Sequence, residues 1–148
     1  MQRRHFIAAA GVGIAGTLAR SAVAADPPSK SAHGSAMQEC AAECYDCAQE
    51  CDSCSAHCAG LVAKGKADHM ATMQSCLDCA DICRAAGALS ARSSKYASLV
   101  CKACAEVCDG CAAACEKQPD DEHMKKCAKA CRDCAKECRE MLTHAAHA

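Results

Sequence analysis

Cysteine supplies most of the chemistry that this sequence offers, since eighteen of its 148 residues are cysteines. A thiolate can bind a soft metal ion, form a disulfide or act as a nucleophile. The cysteines fall into four groups: Cys40, Cys44, Cys47, Cys51, Cys54 and Cys58; Cys76, Cys79 and Cys83; Cys101, Cys104, Cys108, Cys111 and Cys115; and Cys127, Cys131, Cys134 and Cys138. Within each group the separations alternate between three and four positions, which indicates four units that each present a row of thiols.

This alternation is the spacing of the a and d positions of a heptad, so each group is expected to line one face of a helix. A strand would need even separations. Alanine, glutamate, lysine and glutamine fill the other positions, and these residues favour helices. After residue 24 the chain has no Phe or Trp and few Leu, Val or Ile. Because free cysteine is often buried, we expect the thiols to form the core.

Four helices are predicted, at residues 36–60, 68–88, 94–117 and 119–144. Ser35 with Gln38 matches a capping box, Asp68 is a candidate cap for the second helix, and Pro119 fits the first turn of the fourth. The connections are short, so neighbouring helices run antiparallel. The predicted fold is all-α, an up-down-up-down four-helix bundle with a cysteine-lined core.

The first 24 residues have the pattern of a signal peptide, with a basic start, a short apolar stretch and a small-residue cleavage site. The pair Arg3-Arg4 resembles a twin-arginine export signal, although an ordinary secretory leader remains an alternative. Residues 25–35, which include two prolines, are expected to be a disordered lead-in, and residues 36–148 the bundle domain. The predicted location is therefore the periplasm.

Composition excludes several classes of function. After residue 24 the chain has a modest acidic excess and two aromatic residues, which disfavours nucleic-acid binding. No apolar run there approaches the roughly 20 residues that span a bilayer. Phosphate-binding loops and nucleophile elbows are absent from the sequence. No histidine and acid pair accompanies one distinguished thiol, so we do not expect an enzyme.

Disulfides are one interpretation of the cysteines, since an exported chain with an even number of them is commonly cross-linked. Thiols three or four positions apart on one helix rarely reach disulfide geometry, however, and nine bridges would over-constrain a narrow core. A purely apolar core is weaker still, because Leu or Ile would bury more area at about 25 cal/mol per Å². A disulfide-stapled structural or interaction bundle remains an alternative.

Metal binding is the favoured interpretation, and soft thiolates select Cu(I), zinc or iron–sulfur clusters. The ferredoxin spacing is absent, and a continuous ladder does not divide into separate closed zinc sites. Cu(I) accepts two thiolates and neutralises one negative charge per ion, which matters in a core where bare thiolates are costly. The sequence favours multiple Cu(I) ions, with a redox-active iron–sulfur protein as a further alternative.

Histidine and methionine extend the cysteine rows at both ends of the predicted bundle. One end gathers His57, His69, Met73, His123 and Met124. The other end gathers Met37, Met141, His144 and His147. Thioether and imidazole groups suit weaker, exchangeable Cu(I) contacts, so either end is a candidate uptake port. The simpler interpretation is that methionine plugs the bundle and that the last two histidines belong to a disordered tail.

These rows resemble the bacterial copper storage proteins. The resemblance rests on residues 40–47 (CAAECYDC), on residues 76–83 (CLDCADIC) and on the two C-terminal ladders, and it covers residues 36–145. It implies storage of Cu(I) by cysteines inside a four-helix bundle, supply to copper-requiring proteins or chaperones, and assembly into a homotetramer. It extends the ligand role to all eighteen cysteines. Thr72, Ala86 and Ser90 depart from a full ladder on the second helix.

Overall fold

The computed structural model describes residues 32–146. The predicted signal peptide, residues 25–31 of the predicted lead-in and His147 lie outside this range. The described chain forms four α-helices: α1, Ala32–Val62; α2, Met70–Ala91, entered through a single 3-10 turn at Ala67–His69; α3, Ala97–Cys115; and α4, Glu122–Ala146. No strand occurs within residues 32–146. The predicted all-α fold is confirmed.

The helices are arranged as a square bundle. Helix α1 packs against α2 and α4, and α3 packs against the same two helices. Contacts along α1 establish the antiparallel direction of its neighbours: Gln38 near its start donates to the Ala91 carbonyl at the end of α2 (3.0 Å), while Glu50 further along pairs with Lys126 near the start of α4 (2.7 Å). This is the up-down-up-down arrangement expected for short connections.

Small residues lie beside the cysteine rows and allow α1 and α2 to pack closely. The buried members of this second row are Ala41, Ala48 and Ser55 on α1, Ala80 and Gly87 on α2, Ala105 and Ala112 on α3, and Ala128 and Ala135 on α4. A Cβ on Gly87 would lie 3.1 Å from the Tyr45 ring and 3.3 Å from the Ala41 carbonyl oxygen. Gly87 therefore serves the close packing of α2 against α1.

Alanine substitution of two helical glycines is expected to change the free energy of unfolding differently. Gly110 lies in α3 with open space around its missing Cβ, so Gly110→Ala is expected to raise the free energy of unfolding by about 0.5–1 kcal/mol through helix propensity. Gly87→Ala is expected to show none of this gain, because the new methyl group presses on the backbone of α1. Urea unfolding under reducing conditions measures both, and an equal gain in the two variants would contradict the packing role of Gly87.

Several helix starts differ from the sequence prediction. Helix α1 begins at Ala32, so residues 32–35 of the predicted lead-in are helical, and Ser35 lies inside the helix with its hydroxyl donating to Glu39 (2.8 Å). The predicted capping box is therefore wrong. Asp68 does not cap α2; its carboxylate contacts His69 Nδ1 (3.0 Å). In both cases the polar side chain bonds to another side chain and not to the free backbone N–H groups at the start of the helix.

The start of α4 is determined by Asp121. Its carboxylate accepts the backbone N–H groups of His123 (2.9 Å) and Met124 (3.3 Å), the second and third residues of the helix. This is the geometry of an N-cap. Pro119 lies in the turn before the helix, not in its first turn as the sequence predicted.

Candidate metal centre

The eighteen thiols together form the centre of the bundle. Every cysteine side chain is at most 1% exposed, and all eighteen are free thiols. The helical period places them on the inward face of their helices, as the sequence predicted. We call the resulting set of neighbouring sulfur atoms the sulfur lattice.

Contacts in the sulfur lattice cross the bundle axis. Among residues 32–146, the backbones of α1 and α3 do not approach each other, nor do those of α2 and α4. Even so, the sulfurs of Cys40 and Cys101 on α1 and α3 are 3.6 Å apart, and those of Cys76 and Cys127 on α2 and α4 are 3.9 Å apart. Sulfur atoms thus fill the axial space that large aliphatic side chains occupy in an ordinary bundle.

Separations of 3.5–4.0 Å connect neighbouring thiols into chains of contacts. Cys83 shows this best: its sulfur lies 3.5 Å from those of Cys104 and Cys108 and 4.0 Å from that of Cys134. Each sulfur therefore has several partners with which it can share a soft cation. A two-coordinate ion needs only one such pair, and a sulfur between two pairs can bridge two ions.

The pKa values of the thiols reflect burial and mutual hydrogen bonding. Burial, assisted by the neighbouring Cys54, raises the pKa of the Cys58 thiol to about 12. Deeper in the lattice, hydrogen bonds between neighbouring thiols, led by the one from Cys104, raise the pKa of Cys108, while the corresponding bond from Cys108 lowers the pKa of Cys104. Neighbouring thiols thus share protons, and an incoming metal ion must displace them.

Helix α2 contributes hydroxyl groups where the other helices contribute thiols. Thr72, Ala86 and Ser90 are buried on the cysteine face of α2. The Ser90 hydroxyl lies 3.4 Å from the Cys101 sulfur and 3.9 Å from that of Cys40. Thr72 donates to the Ala114 carbonyl (3.4 Å). The row of three thiols on α2 is therefore flanked by hydroxyl groups, one of which contacts the sulfur lattice.

One end of the bundle, which we call the histidine end, brings together the predicted port residues of α1 and α4. The ring of His57 stacks on that of His123 with centroids 4.3 Å apart. His57 Nε2 also contacts the Asp121 carboxylate at 2.8 Å. Just inside, the Cys54 thiol contacts the Met124 sulfur at 3.5 Å. At this end the sulfur ligands of the lattice are therefore followed, toward the surface, by the imidazole groups of the two histidines.

His69, from the 3-10 turn, and Met73, from the first turn of α2, lie at the same end. Met73 is partly buried against the core, and His69 is buried, with Nδ1 held by Asp68. A cleft of about 260 Å³ opens beside it. The cleft is lined by Lys66, His69, Gln118, Pro119, Asp120 and Asp121. Asp121 was not among the predicted site residues, because an acidic run after a proline, here residues 120–122 after Pro119, is typical of a helix start.

Asp121 is expected to stabilise this end in a pH-dependent way. Burial raises the pKa of its carboxyl, but the hydrogen bonds from His57 and from the α4 backbone hold that pKa below its usual value. Asp121→Ala is therefore expected to cost about 1–2 kcal/mol at neutral pH through the lost cap. The stability difference between the wild type and Asp121→Ala is fully present above the unfolded-state pKa of the Asp121 carboxyl. It vanishes as pH falls through the folded-state pKa of the same group.

Chemical denaturation of the wild type and of Asp121→Ala across this acidic range measures the effect. Asp120→Ala is the matched control, since Asp120 belongs to the same acidic run and lies outside the cap contacts. A loss in Asp121→Ala that stayed constant as pH fell would contradict the assignment.

The opposite end, which we call the methionine end, is closed. Met37 is 5% exposed and Met141 is fully buried. His144 is exposed. Both methionines pack against the last layer of cysteines, as expected for side chains that plug a bundle.

Comparison with known proteins agrees with this geometry. Residues 33–143 match the family described as "Csp: Copper storage protein". The chain belongs to the copper storage protein family. The resemblance seen in the sequence is thus confirmed, and the cysteine rows that carried it are the core of the bundle. No significant match is found among curated proteins.

Solved structures with a similar fold include two copper storage proteins and one further bacterial protein. A cytosolic copper storage protein from Streptomyces lividans, described with five coppers, has 36% identity and a TM-score of 0.69, with 75% of this chain and 95% of that chain covered. The Cu(I)-bound copper storage protein BsCsp3 has 32% identity and a TM-score of 0.66, with 72% and 98% covered. Protein Nmul_A1745 from Nitrosospira multiformis has 29% identity and a TM-score of 0.63, with 74% and 96% covered.

In the described part of this copper storage protein, no helix is both long and apolar enough to cross a membrane.

Proposed function

We propose that this chain stores multiple Cu(I) ions in the sulfur lattice and releases them by ligand exchange, with all eighteen cysteines as ligands. The observation that carries this proposal is the continuous network of free, buried thiols at separations of 3.5–4.0 Å. Two related copper storage proteins whose structures are described with bound copper support it.

Charge explains why Cu(I) suits this core. A bare thiolate in a low-dielectric interior is very unfavourable. One Cu(I) per thiolate cancels the charge, so the loaded core becomes a neutral copper–sulfur cluster inside a shell of alanine and methionine. Filling the lattice therefore requires no compensating ion from the protein surface.

The histidine end is the uptake and release port in this proposal. Its ligand types change from thiol at Cys54 through thioether at Met124 to imidazole at His57 and His123, which gives a gradient of decreasing affinity for Cu(I) toward solvent. The methionine end is tightly packed and makes a poorer passage. Low-affinity ligands at a surface permit exchange with a chaperone or a copper-requiring protein.

Cellular location and assembly belong to the same proposal. The pattern of residues 1–24, with Arg3-Arg4, supports export to the periplasm, and a folded exported bundle would carry thiols that are already buried. Family resemblance supports a homotetramer. In this proposal the chain acts by binding and releasing copper through the sulfur lattice, without a catalytic step.

Anaerobic Cu(I) titration of the reduced chain against a competing chelator tests storage. Uptake of many equivalents is expected; saturation at one or two would indicate a chaperone instead. Thiols protected from alkylation as disulfides in native material would favour a stapled bundle, and a preparation rich in iron and sulfide would favour an iron–sulfur protein. For the port, replacing His57 and His123 by Ala should slow uptake without reducing capacity, with the exposed His144→Ala as the matched control.

A further inference from the structure

The central layer of the sulfur lattice takes one thiol from each helix. It consists of Cys47, Cys83, Cys108 and Cys134, whose sulfurs all lie within 4.8 Å of one another. We call these four residues the central quartet. All four side chains are fully buried. A second set with one thiol from each helix, Cys54, Cys76, Cys115 and Cys127, lies toward the histidine end, so the central quartet differs from it by its position in the middle of the lattice and by the thiols that surround it.

The spacing of the central quartet fits a tetrahedral ion. A Zn²⁺ ion with four Zn–S bonds of about 2.3 Å places its sulfurs about 3.8 Å apart. In the quartet, the sulfurs of Cys83 and Cys108 are 3.5 Å apart, and those of Cys83 and Cys134 are 4.0 Å apart. All six separations are within 4.8 Å, so the four sulfurs need to draw together by at most about 1 Å to enclose such an ion.

Thiols next to the quartet are placed to stabilise the charge of a divalent complex. Four thiolates around one divalent cation carry a net negative charge, which a buried site must offset with hydrogen-bond donors. Cys79 contacts the sulfurs of Cys83 (3.9 Å) and Cys108 (3.6 Å), and Cys104 contacts the same two (3.5 and 3.9 Å). The cation reverses the proton distribution of the metal-free lattice: it holds the quartet sulfurs as thiolates, so that Cys79 and Cys104 keep their protons and donate to them.

We propose that the central quartet is a tetrahedral site for one soft divalent cation of the Zn²⁺ class. Such an ion would bind all four helices at once and hold the bundle closed while its thiols await Cu(I). Because a closed tetrathiolate site contributes its binding free energy to folding, the divalent ion acts as a structural placeholder that copper must displace.

Cadmium is the spectroscopic probe for this site. The reduced full chain is titrated anaerobically with Cd²⁺, and binding is followed by thiolate-to-metal charge-transfer absorption and by ¹¹³Cd NMR. The first equivalent is expected to show a four-sulfur signature. Addition of Cu(I) is then expected to release the cadmium. Fewer than four sulfurs around the first equivalent would overturn the proposal.

Two serine variants locate the site. Since loss of a partner in the outer shell already costs about 10- to 100-fold in metal affinity, Cys108→Ser is expected to weaken binding of the first equivalent by at least about tenfold. Cys58→Ser, at the histidine end and outside the quartet, is expected to leave it unchanged. Wild-type Cd²⁺ affinity in Cys108→Ser, or an equal loss in Cys58→Ser, would refute the assignment.

Separate control measurements test the folding of the variants and their copper storage. Circular dichroism and retained uptake of several Cu(I) equivalents by Cys108→Ser show that its loss of Cd²⁺ binding is not a failure to fold; Cys108→Ala is the second variant if serine is not tolerated. A wild-type chain that bound Cd²⁺ at the quartet but stored no Cu(I) would keep this inference and refute the proposed function. A wild-type chain that stored Cu(I) but did not bind Cd²⁺ at the quartet would refute this inference and keep the proposed function.

Discussion

Loading the reduced chain with Cu(I) is expected to raise its thermal unfolding midpoint by about 25 °C. Each ion bound at a free concentration about 1,000 times its dissociation constant adds about 4 kcal/mol to the folded state. Two such ions add about 8 kcal/mol, and a domain of this size gains about 3 °C per kcal/mol. A lattice that holds further ions would exceed this value, because the eighteen buried thiols are brought together as ligands only in the folded chain.

Anaerobic calorimetry at increasing Cu(I)-to-chain ratios measures this shift. The midpoint should rise with each addition until the lattice is full and return to its starting value when a strong Cu(I) chelator removes the metal. The reduced chain with excess Cu(I) chelator present throughout is the control, since no free metal then reaches the thiols. An unchanged midpoint at several equivalents would mean that copper binds outside the core.

Met141→Ala is expected to lower the free energy of unfolding of the metal-free chain by about 2–4 kcal/mol, the usual cost of removing a large buried side chain. Met124 and Met141 are the largest fully buried side chains of the described bundle. A core made mainly of Cys and Ala has few other large groups with which to fill the resulting cavity. Urea unfolding under reducing, anaerobic conditions measures the loss.

Met70→Ala is the matched control for this prediction. Met70 is 39% exposed, and substitution at such a site is expected to change the free energy of unfolding by at most about 0.5 kcal/mol. Equal effects of the two substitutions would contradict the role of Met141 as the plug of the methionine end. Capacity for Cu(I) in Met141→Ala would further show whether this thioether is also a ligand.

Local geometry explains how much of the site was predictable. Side-chain direction in a helix follows residue number with a fixed period, so the three-and-four spacing alone placed every cysteine on an inward face. Short connections then implied antiparallel neighbours, and the predicted bundle is confirmed. Helix starts were less accurate because Ser35 and Asp121 are both good caps by type. Only the position of each side chain relative to the first free N–H groups decides between them.

Register between helices is what the sequence could not determine. The stacking of His57 on His123 and the contact of His57 with Asp121 join residues more than sixty positions apart. They depend on how far α1 and α4 slide along each other, which close packing of small residues decides.

In the metal centre, the amino-acid sequence and the tertiary structure determine different features. The amino-acid sequence determined that the thiols face inward, because helical periodicity is a property of each segment alone. The tertiary structure decided which sulfurs are in contact, such as Cys40 with Cys101 across the axis. Such a contact forms only when packing of the bundle brings the two cysteines to the same height along its axis. Metal chemistry depends on these distances between segments, and only the packed bundle sets them.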